Sequence, residues 1–508
     1  MDNRPLAGYG RMLTEVLALL LAGGVMASPS PSASPSPSPD FAAEESAPLT
    51  SSGVPEEALP PGTPTIPLAR AVATALERNF TVLNSADAVA TSRLREGVTR
   101  AQFLPKVTPR YQRSADDSLF GVDATQKLPW TGGSVTAAAL MRSTFAGATG
   151  PDVSPFPRTS DLRLVLTQPL LRGFGPNAAF YDLRVSRRSR EGQERQYEME
   201  RQRLALDVTR SYYQVIQQRQ LLAVARQSLD RSESLRRAST ARLEVGLVSK
   251  LDVYRAELQA SQAQESMVRA ETSLEAELEH FRTLLGLSPG DALQPEALAL
   301  PEDVVDDIEP LEVLTQRALE NRLDLLETRD QVGDARRTAS LARQNLLPQL
   351  DLNLGVTQFG TGTTYGNAFH SAERQVNLFF STSYPLERSN EATNRAVAQL
   401  DVSSRERTLR QRQLDLEAEV RGAVRELQRI RKSIELQKKG VEVAEQQRRL
   451  ATLRYQRGLA SNFDVVDAEG SLVVARSALV GLLTSYQVAR VDLLRVTGTL
   501  AVDKDLAP

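Results

Sequence analysis

Two periodicities divide the chain. Over residues 177–244 the apolar and small positions step mostly by three or four, as in Leu204, Val208, Ser211, Val215, Leu222, Ala225 and Leu229, which is the stripe of an amphipathic helix. A proline inside a helix costs about 3 kcal/mol. None occurs from Asn177 to Ser288 or from Leu386 to Ala507, so these stretches predict long helices, each broken once, at Gly246 and at Gly458. At 1.5 Å per residue a helix over 177–244 is about 100 Å long, far beyond the width of a globular domain. Elsewhere the period is two. Leu350, Leu352, Leu354 and Val356 alternate with Asp351, Asn353, Gly355 and Thr357, Val376, Leu378 and Phe380 alternate with Asn377, Phe379 and Ser381, and Leu162, Leu164 and Leu166 alternate with Arg163, Val165 and Thr167. Each reads as a strand with one apolar face. Such strands fit either a soluble sandwich or a transmembrane barrel.

Both patterns occur twice. Ala75 to Asn79 (AlaLeuGluArgAsn) recurs as Ala318 to Arg322 (AlaLeuGluAsnArg), and Phe103-Leu104-Pro105 recurs as Leu346-Leu347-Pro348. Downstream, Arg242 to Val253 (ArgLeuGluValGlyLeuValSerLysLeuAspVal) recurs as Arg454 to Val465 (ArgTyrGlnArgGlyLeuAlaSerAsnPheAspVal). The chain is a tandem duplication. Pro105 and Pro169 stand 64 apart where Pro348 and Pro385 stand 37 apart, so copy one carries a 27-residue insertion. Within it Val135, Ala137, Ala139 and Met141 follow the turn-like Thr131-Gly132-Gly133, which predicts an extra hairpin.

The break in each long helix has its own chemistry. Gly246 and Gly458 suit a left-handed position just past a helix end, and Ser249 and Ser461 can cap the next helix. Asp252 and Asp464 follow those serines at capping-box spacing, and Val248 with Val253, and Ala460 with Val465, stand where a hydrophobic staple forms. A tight helical hairpin explains every residue of the motif. It does not explain why the tip recurs at the far end of such long helices, where a partner would reach it.

Composition narrows the function. Lys+Arg number 61 against 63 Asp+Glu, which lacks the basic excess of a nucleic-acid binder. With no cysteine and only two histidines, His280 and His370, thiol catalysis, cysteine-ligated metal and disulfides are excluded, and no cofactor or metal site is expected. Met12 to Ala27 is an apolar run behind Arg4 and Arg11 that ends in small residues, so residues 1–27 read as a secretory signal peptide, and the missing cysteine excludes lipidation at the new N-terminus. No later stretch reads as an apolar 18-mer, so membrane contact by the mature chain falls to strands or a surface helix. Residues 28–67 form a Pro/Ser-rich disordered linker, 68–289 and 311–499 the two copies, 290–310 the linker between them, and 500–508 a tail.

Two copies of helix, strand pair and long helix-turn-helix, with the R-x3-G-L-x-S-x2-D-V turn and an export signal, make the chain resemble the TolC-type outer-membrane efflux protein family over residues 68–499. The resemblance implies a mostly α fold with a small β part. In it, tandem-duplicated helical hairpins build a trimeric α-barrel, and four strands per chain join a transmembrane β-barrel. It implies an exit duct of tripartite efflux or type I secretion in the Gram-negative outer membrane, reaching across the periplasm. Implied partners are outer-membrane lipid, a periplasmic adaptor protein and an inner-membrane transporter. The tips that dock the adaptor carry over to Gly246, Leu247, Val248 and Ser249, and to Gly458, Leu459, Ala460 and Ser461. The periplasmic gate carries over to Asp464 and Asp467 as carboxylate rings, Tyr455 as a latch tyrosine and Asp252 as its partner from copy one. Ala460 stands where the best-known member has arginine, so one latch element is missing. For Asp464, plain helix capping is the alternative role.

Two other classes compete. An exported coiled-coil scaffold whose strands form a small sandwich needs no membrane. An enzyme needs a paired-carboxylate cleft, a Ser-His arrangement or a phosphate loop, and none is present.

Overall fold

The structure is a computed structural model that describes residues 64–144, 158–297, 299–301 and 308–500. The expected signal peptide, the Pro/Ser-rich segment before Pro64 and the tail after Leu500 lie outside the described residues. The first copy runs β1 (Thr65–Ile66), α1 (Leu68–Arg78), α2 (Phe80–Ala101), β2 (Lys106–Arg113), β3 (Asp117–Lys127), β4 (Ser134–Thr144), β5 (Arg158–Pro169), α3 (Pro176–Ala179), α4 (Tyr181–Glu244) and α5 (Lys250–Leu284). The second runs β6 (Gln294–Pro295), α6 (Leu311–Asn321), α7 (Leu323–Gln344), β7 (Gln349–Gly362), α8 (Tyr365–His370), β8 (Glu373–Ser383), α9 (Ser389–Gln456) and α10 (Asn462–Val496).

Helices α4 and α9 have 64 and 68 residues and are each about 100 Å long. The first begins at Tyr181 and not at Asn177, because Phe180 leaves the helical region and separates the single turn of α3 from α4. Each long helix folds back through its glycine onto a 35-residue partner, α5 or α10. The core lies where the two hairpins meet. Val208, Val215 and Ile216 of α4, Phe281 of α5, Ile430 and Ile434 of α9, and Val480 and Leu483 of α10 are buried together. Burying one such side chain stabilises by about 1.5–3 kcal/mol. One window of α10 is apolar enough by length and composition to cross a membrane, which corrects the expectation that no later stretch would be. Leu472, Leu479, Val480, Leu483 and Tyr486 of that helix pack inward, so it is apolar as a core helix.

The repeated Ala75–Asn79 and Ala318–Arg322 sequences mark equivalent breaks, α1 to α2 at Asn79 and α6 to α7 at Arg322, where ψ swings to the extended region. The Asn79 side chain accepts from Thr81 N–H at 2.9 Å and donates to the Leu284 carbonyl at 3.0 Å. At the second break Arg322 pairs with Asp324 at 2.7 Å, and Arg412 of α9 joins the same carboxylate. Burial by itself would raise the Asp324 pKa, but the hydrogen bonds from Arg322 and Arg412 outweigh it and hold the carboxyl well below the usual range. A carboxyl with a depressed folded pKa contributes stability that is fully present above its unfolded pKa, about 4, and is lost as pH falls through the folded value. Asp324→Asn is therefore expected to cost about 1–3 kcal/mol at neutral pH, with the deficit shrinking below about pH 4. Melting temperatures in detergent at pH 7 and pH 3 check this, and equal values for both proteins at pH 7 would contradict it.

Strands β1 and β6 pair with each other in parallel, and the other six form one antiparallel sheet in the order β2-β3-β4-β5-β7-β8. The sheet of this chain thus has six strands and not the four that the family resemblance implied. The insertion supplies β3 and β4, which pair with neighbours on both sides along their length. Hydrogen-bonded rows carry one apolar face across the sheet, as in Val107, Ala124, Ala137, Leu164, Val356 and Val376. The opposite face is polar, with an Arg110–Asp123 ion pair at 2.5 Å and hydrogen bonds from Thr167 to Asn353 and from Asn353 to Ser381. Among the described residues no second sheet covers the apolar face, where Leu378 and Phe380 are each 65% exposed. That does not fit a soluble sandwich, which buries such a face against another sheet.

Candidate functional site at the helical tips

The two tips are built alike. Gly246 and Gly458 take φ of +78° and +76°, and a side chain there would meet strain from φ alone, because nothing lies within 4 Å of a built Cβ. Leu247 N–H donates to the Arg242 carbonyl and Gly246 N–H to that of Leu243, each at 2.9 Å, which closes the helix end in a Schellman motif. Leu459 and Gly458 repeat this on Arg454 and Tyr455 at 2.8 and 3.0 Å. The next helices start in capping boxes. Ser249 N–H donates to Asp252 Oδ2 at 3.2 Å, and Ser461 N–H to Asp464 Oδ2 at 2.7 Å.

Local symmetry ends where the tips touch. Tyr455 is buried, and its hydroxyl lies 3.0 Å from Ser239 Oγ. Arg242 stacks over the Tyr455 ring at 4.3 Å while donating to the carbonyls of Tyr455 at 2.8 Å and Gln456 at 3.1 Å. A guanidinium there satisfies carbonyls at the end of α9 and meets the negative end of its dipole. Asn462, 1% exposed, donates to the Asp252 carbonyl at 2.8 Å, whereas its counterpart Lys250 in copy one is exposed. Asp252 therefore meets the second tip through its backbone, with its carboxylate on its own cap. Asp464 and Asp467 are exposed on α10, one turn apart, beside the buried Val465 and Ala468. Behind the tips a cavity of about 260 Å³ is lined by Arg231, Arg448, Tyr455 and Glu469 among others, and the Arg231–Glu469 pair at 2.9 Å bridges α4 and α10.

The tips expose apolar side chains. Leu247 and Leu459 are 74% and 75% exposed, and Leu251, Tyr254 and Leu258 continue an exposed stripe along α5. Val248 and Ala460 are half-buried, and Ser249 and Ser461 are exposed. Sequence reasoning missed the stripe and the contacts of Ser239, Arg242 and Asn462. Arg242 stood within the repeated motif, at the position of Arg454, yet only its surroundings show what it holds.

The family described as outer membrane efflux protein matches residues 71–287 and 314–499, which takes in both hairpins and both tips. The chain belongs to that family. Its relatives include the outer membrane protein TolC of Escherichia coli, 24% identical over 318 residues, and the outer membrane efflux protein BepC of Brucella suis, 25% identical over 304 residues. These alignments take in 60% and 58% of this chain and 63% of each relative's length. The crystal structure of the outer membrane protein VceC of Vibrio cholerae shares the fold, with a TM-score of 0.66 at 16% identity over 85% of this chain and 96% of that one. The efflux protein family thus accounts for the mostly helical architecture with its β-sheet.

Proposed function

We propose that the protein is the exit duct of a tripartite efflux or type I secretion system. Three copies close their sheets into a β-barrel in the outer membrane and their helical hairpins into a tunnel across the periplasm. The observation that carries this reading is a sheet with one uncovered apolar face and one hydrogen-bonded polar face at the root of helices about 100 Å long. Lipid is the solvent that such a face requires, and a wet lumen is what the polar face suits. A signal peptide over residues 1–27 would direct export, and the chain has no cysteine to carry a lipid anchor.

The exposed tips, Gly246 to Ser249 and Gly458 to Ser461, dock a periplasmic adaptor that connects the duct to an inner-membrane transporter. Asp464 and Asp467, each repeated about the threefold axis, ring the periplasmic mouth, while Tyr455 and Asp252 belong to the contact that holds the two tips together. Purified protein added to a planar lipid bilayer is expected to give discrete, uniform conductance steps. Bilayers that stay electrically silent while the protein is inserted would refute the channel reading.

A further inference from the structure

Inserting a β-hairpin into the middle of a barrel wall changes the barrel. We infer that three copies of this chain close a barrel of 18 strands, wider by half than four strands per chain would give, an inference that rests on the trimeric duct proposed above. Four of the six strands run into helices: β2 follows α2, β5 leads to α3 and α4, β7 follows α7, and β8 leads to α9. β3 and β4 have no helix of their own, yet they lie inside the wall, between β2 and β5. Their faces match those of the other strands. Phe120, Val122 and Ala124 of β3 share rows with Met141, Ala139 and Ala137 of β4, so the pair extends the lipid-facing side without a polar gap.

The turn that joins them is fitted to the junction between sheet and helices. Trp130 meets Phe180 edge-on at 5.2 Å, and Phe103 lies 5.3 Å from the same ring. Thr131 carbonyl accepts from Gly175 N–H and from Gln168 Nε2, each at 3.2 Å. At Gly132 the backbone passes so close to Gly173 that a Cβ would stand 2.3 Å from its carbonyl oxygen. A hairpin lying loosely outside a barrel would have none of these contacts. The sole tryptophan of the chain thus stands at the helix end of the sheet, where aromatic girdles of barrels meet the membrane interface.

The edges select the occupant. β2 and β8 are exposed along their whole length, and an open strand edge is not tolerated in lipid. Six is an even number of antiparallel strands, so β2 and β8 run in opposite directions, and β8 of one copy can pair antiparallel with β2 of the next. The apolar face also slides along the strands. Pro109, central in the apolar set of β2, lies in the row that ends at Arg374, whereas the apolar set of β8 centres on Leu378. Tilted barrel strands produce such a slide, because the membrane plane cuts obliquely across the rows. Barrel diameter grows roughly linearly with strand number, so six strands per chain give a pore about 1.5 times as wide as four, in the range that leaves an open aqueous channel.

Electron cryomicroscopy of the full-length protein extracted in detergent tests the inference, together with a variant lacking residues 117–144. In that variant β2 can meet β5 with faces preserved, since Val107 and Leu164 already share a row. The expected result is a trimer with 18 strands for the natural chain and 12 for the variant, the barrel diameter falling by about a third. A natural trimer whose wall holds 12 strands, with β3 and β4 folded aside, would overturn the inference and leave the duct reading intact. Particles with no threefold barrel would overturn both. The strand count of the natural chain decides the matter even where the variant fails to fold.

Discussion

Leu247→Glu and Leu459→Glu, singly and more so together, are expected to abolish export while leaving the chain folded and in the membrane. Both side chains are about three-quarters exposed at the turn of their hairpins, and surface changes usually alter stability by less than about 0.5 kcal/mol. Glutamate at Gly246 would be a poor probe, because it strains a left-handed backbone position as well as altering the surface. In the proposed docked complex the same leucines would lie against the adaptor, where an unpaired carboxylate costs several kcal/mol of desolvation. Each 1.4 kcal/mol is a factor of ten, so adaptor affinity should fall on the order of 100-fold. Copurification of adaptor with the outer-membrane protein and cargo efflux from whole cells are the readouts. Natural efflux and natural copurification at normal protein levels would remove the tips from the mechanism.

The second large effect is on ion selectivity. In a trimer Asp464 and Asp467 each occur three times about one axis, and rings of carboxylates favour cations in a narrow lumen. Asp464 has a second occupation, since its carboxylate accepts from Ser461 N–H at 2.7 Å and Ser461 Oγ at 3.0 Å, so Asp464→Ala should also cost about 0.5–2 kcal/mol through the lost cap. Asp467 lies beyond the capping box, and Asp467→Asn reads the ring alone. Removing both carboxylates should lower the cation-to-anion permeability ratio several-fold and weaken block by divalent cations. Tyr455→Phe with Asp252→Asn should loosen the mouth and raise conductance, because the first loses the bond to Ser239 and the second weakens the cap beside Asn462. Single-channel recordings under a salt gradient measure both. Unchanged selectivity and block in the double aspartate variant would leave Asp464 as a helix cap and Asp467 as a solvated surface charge.

Much of this architecture is legible in the sequence because it depends on local rules. Proline-free amphipathic stretches, a glycine at each helix end and a serine-to-aspartate capping spacing specify α4, α5, α9 and α10 to within a few residues. Strands β4, β5, β7 and β8 are visible by their alternation, while β2 and β3 are not. Pro109 interrupts β2, and Leu119 stands on the polar face of β3, whose alternation runs only from Phe120 to Ala124. A barrel strand carries little signal, since alternation over about ten residues is all that lipid on one side and water on the other demand. The size of the insertion was readable from proline spacing, but its place in the wall depends on pairing with β2 and β5. At the tips the repeat predicts equivalent roles for Lys250 and Asn462, yet one is solvated and the other buried against Asp252. Which copy faces inward is a property of packing between helices far apart in sequence.

The central claim, a trimeric duct in the outer membrane, is tested most directly by the mass of the protein component extracted with mild detergent from isolated outer membranes. Native mass spectrometry or light scattering with the detergent contribution removed should give the three chains of the proposed duct, in which the open edges at β2 and β8 would close against neighbouring copies. A particle holding one chain, or recovery of the protein in the soluble fraction without detergent, would contradict it.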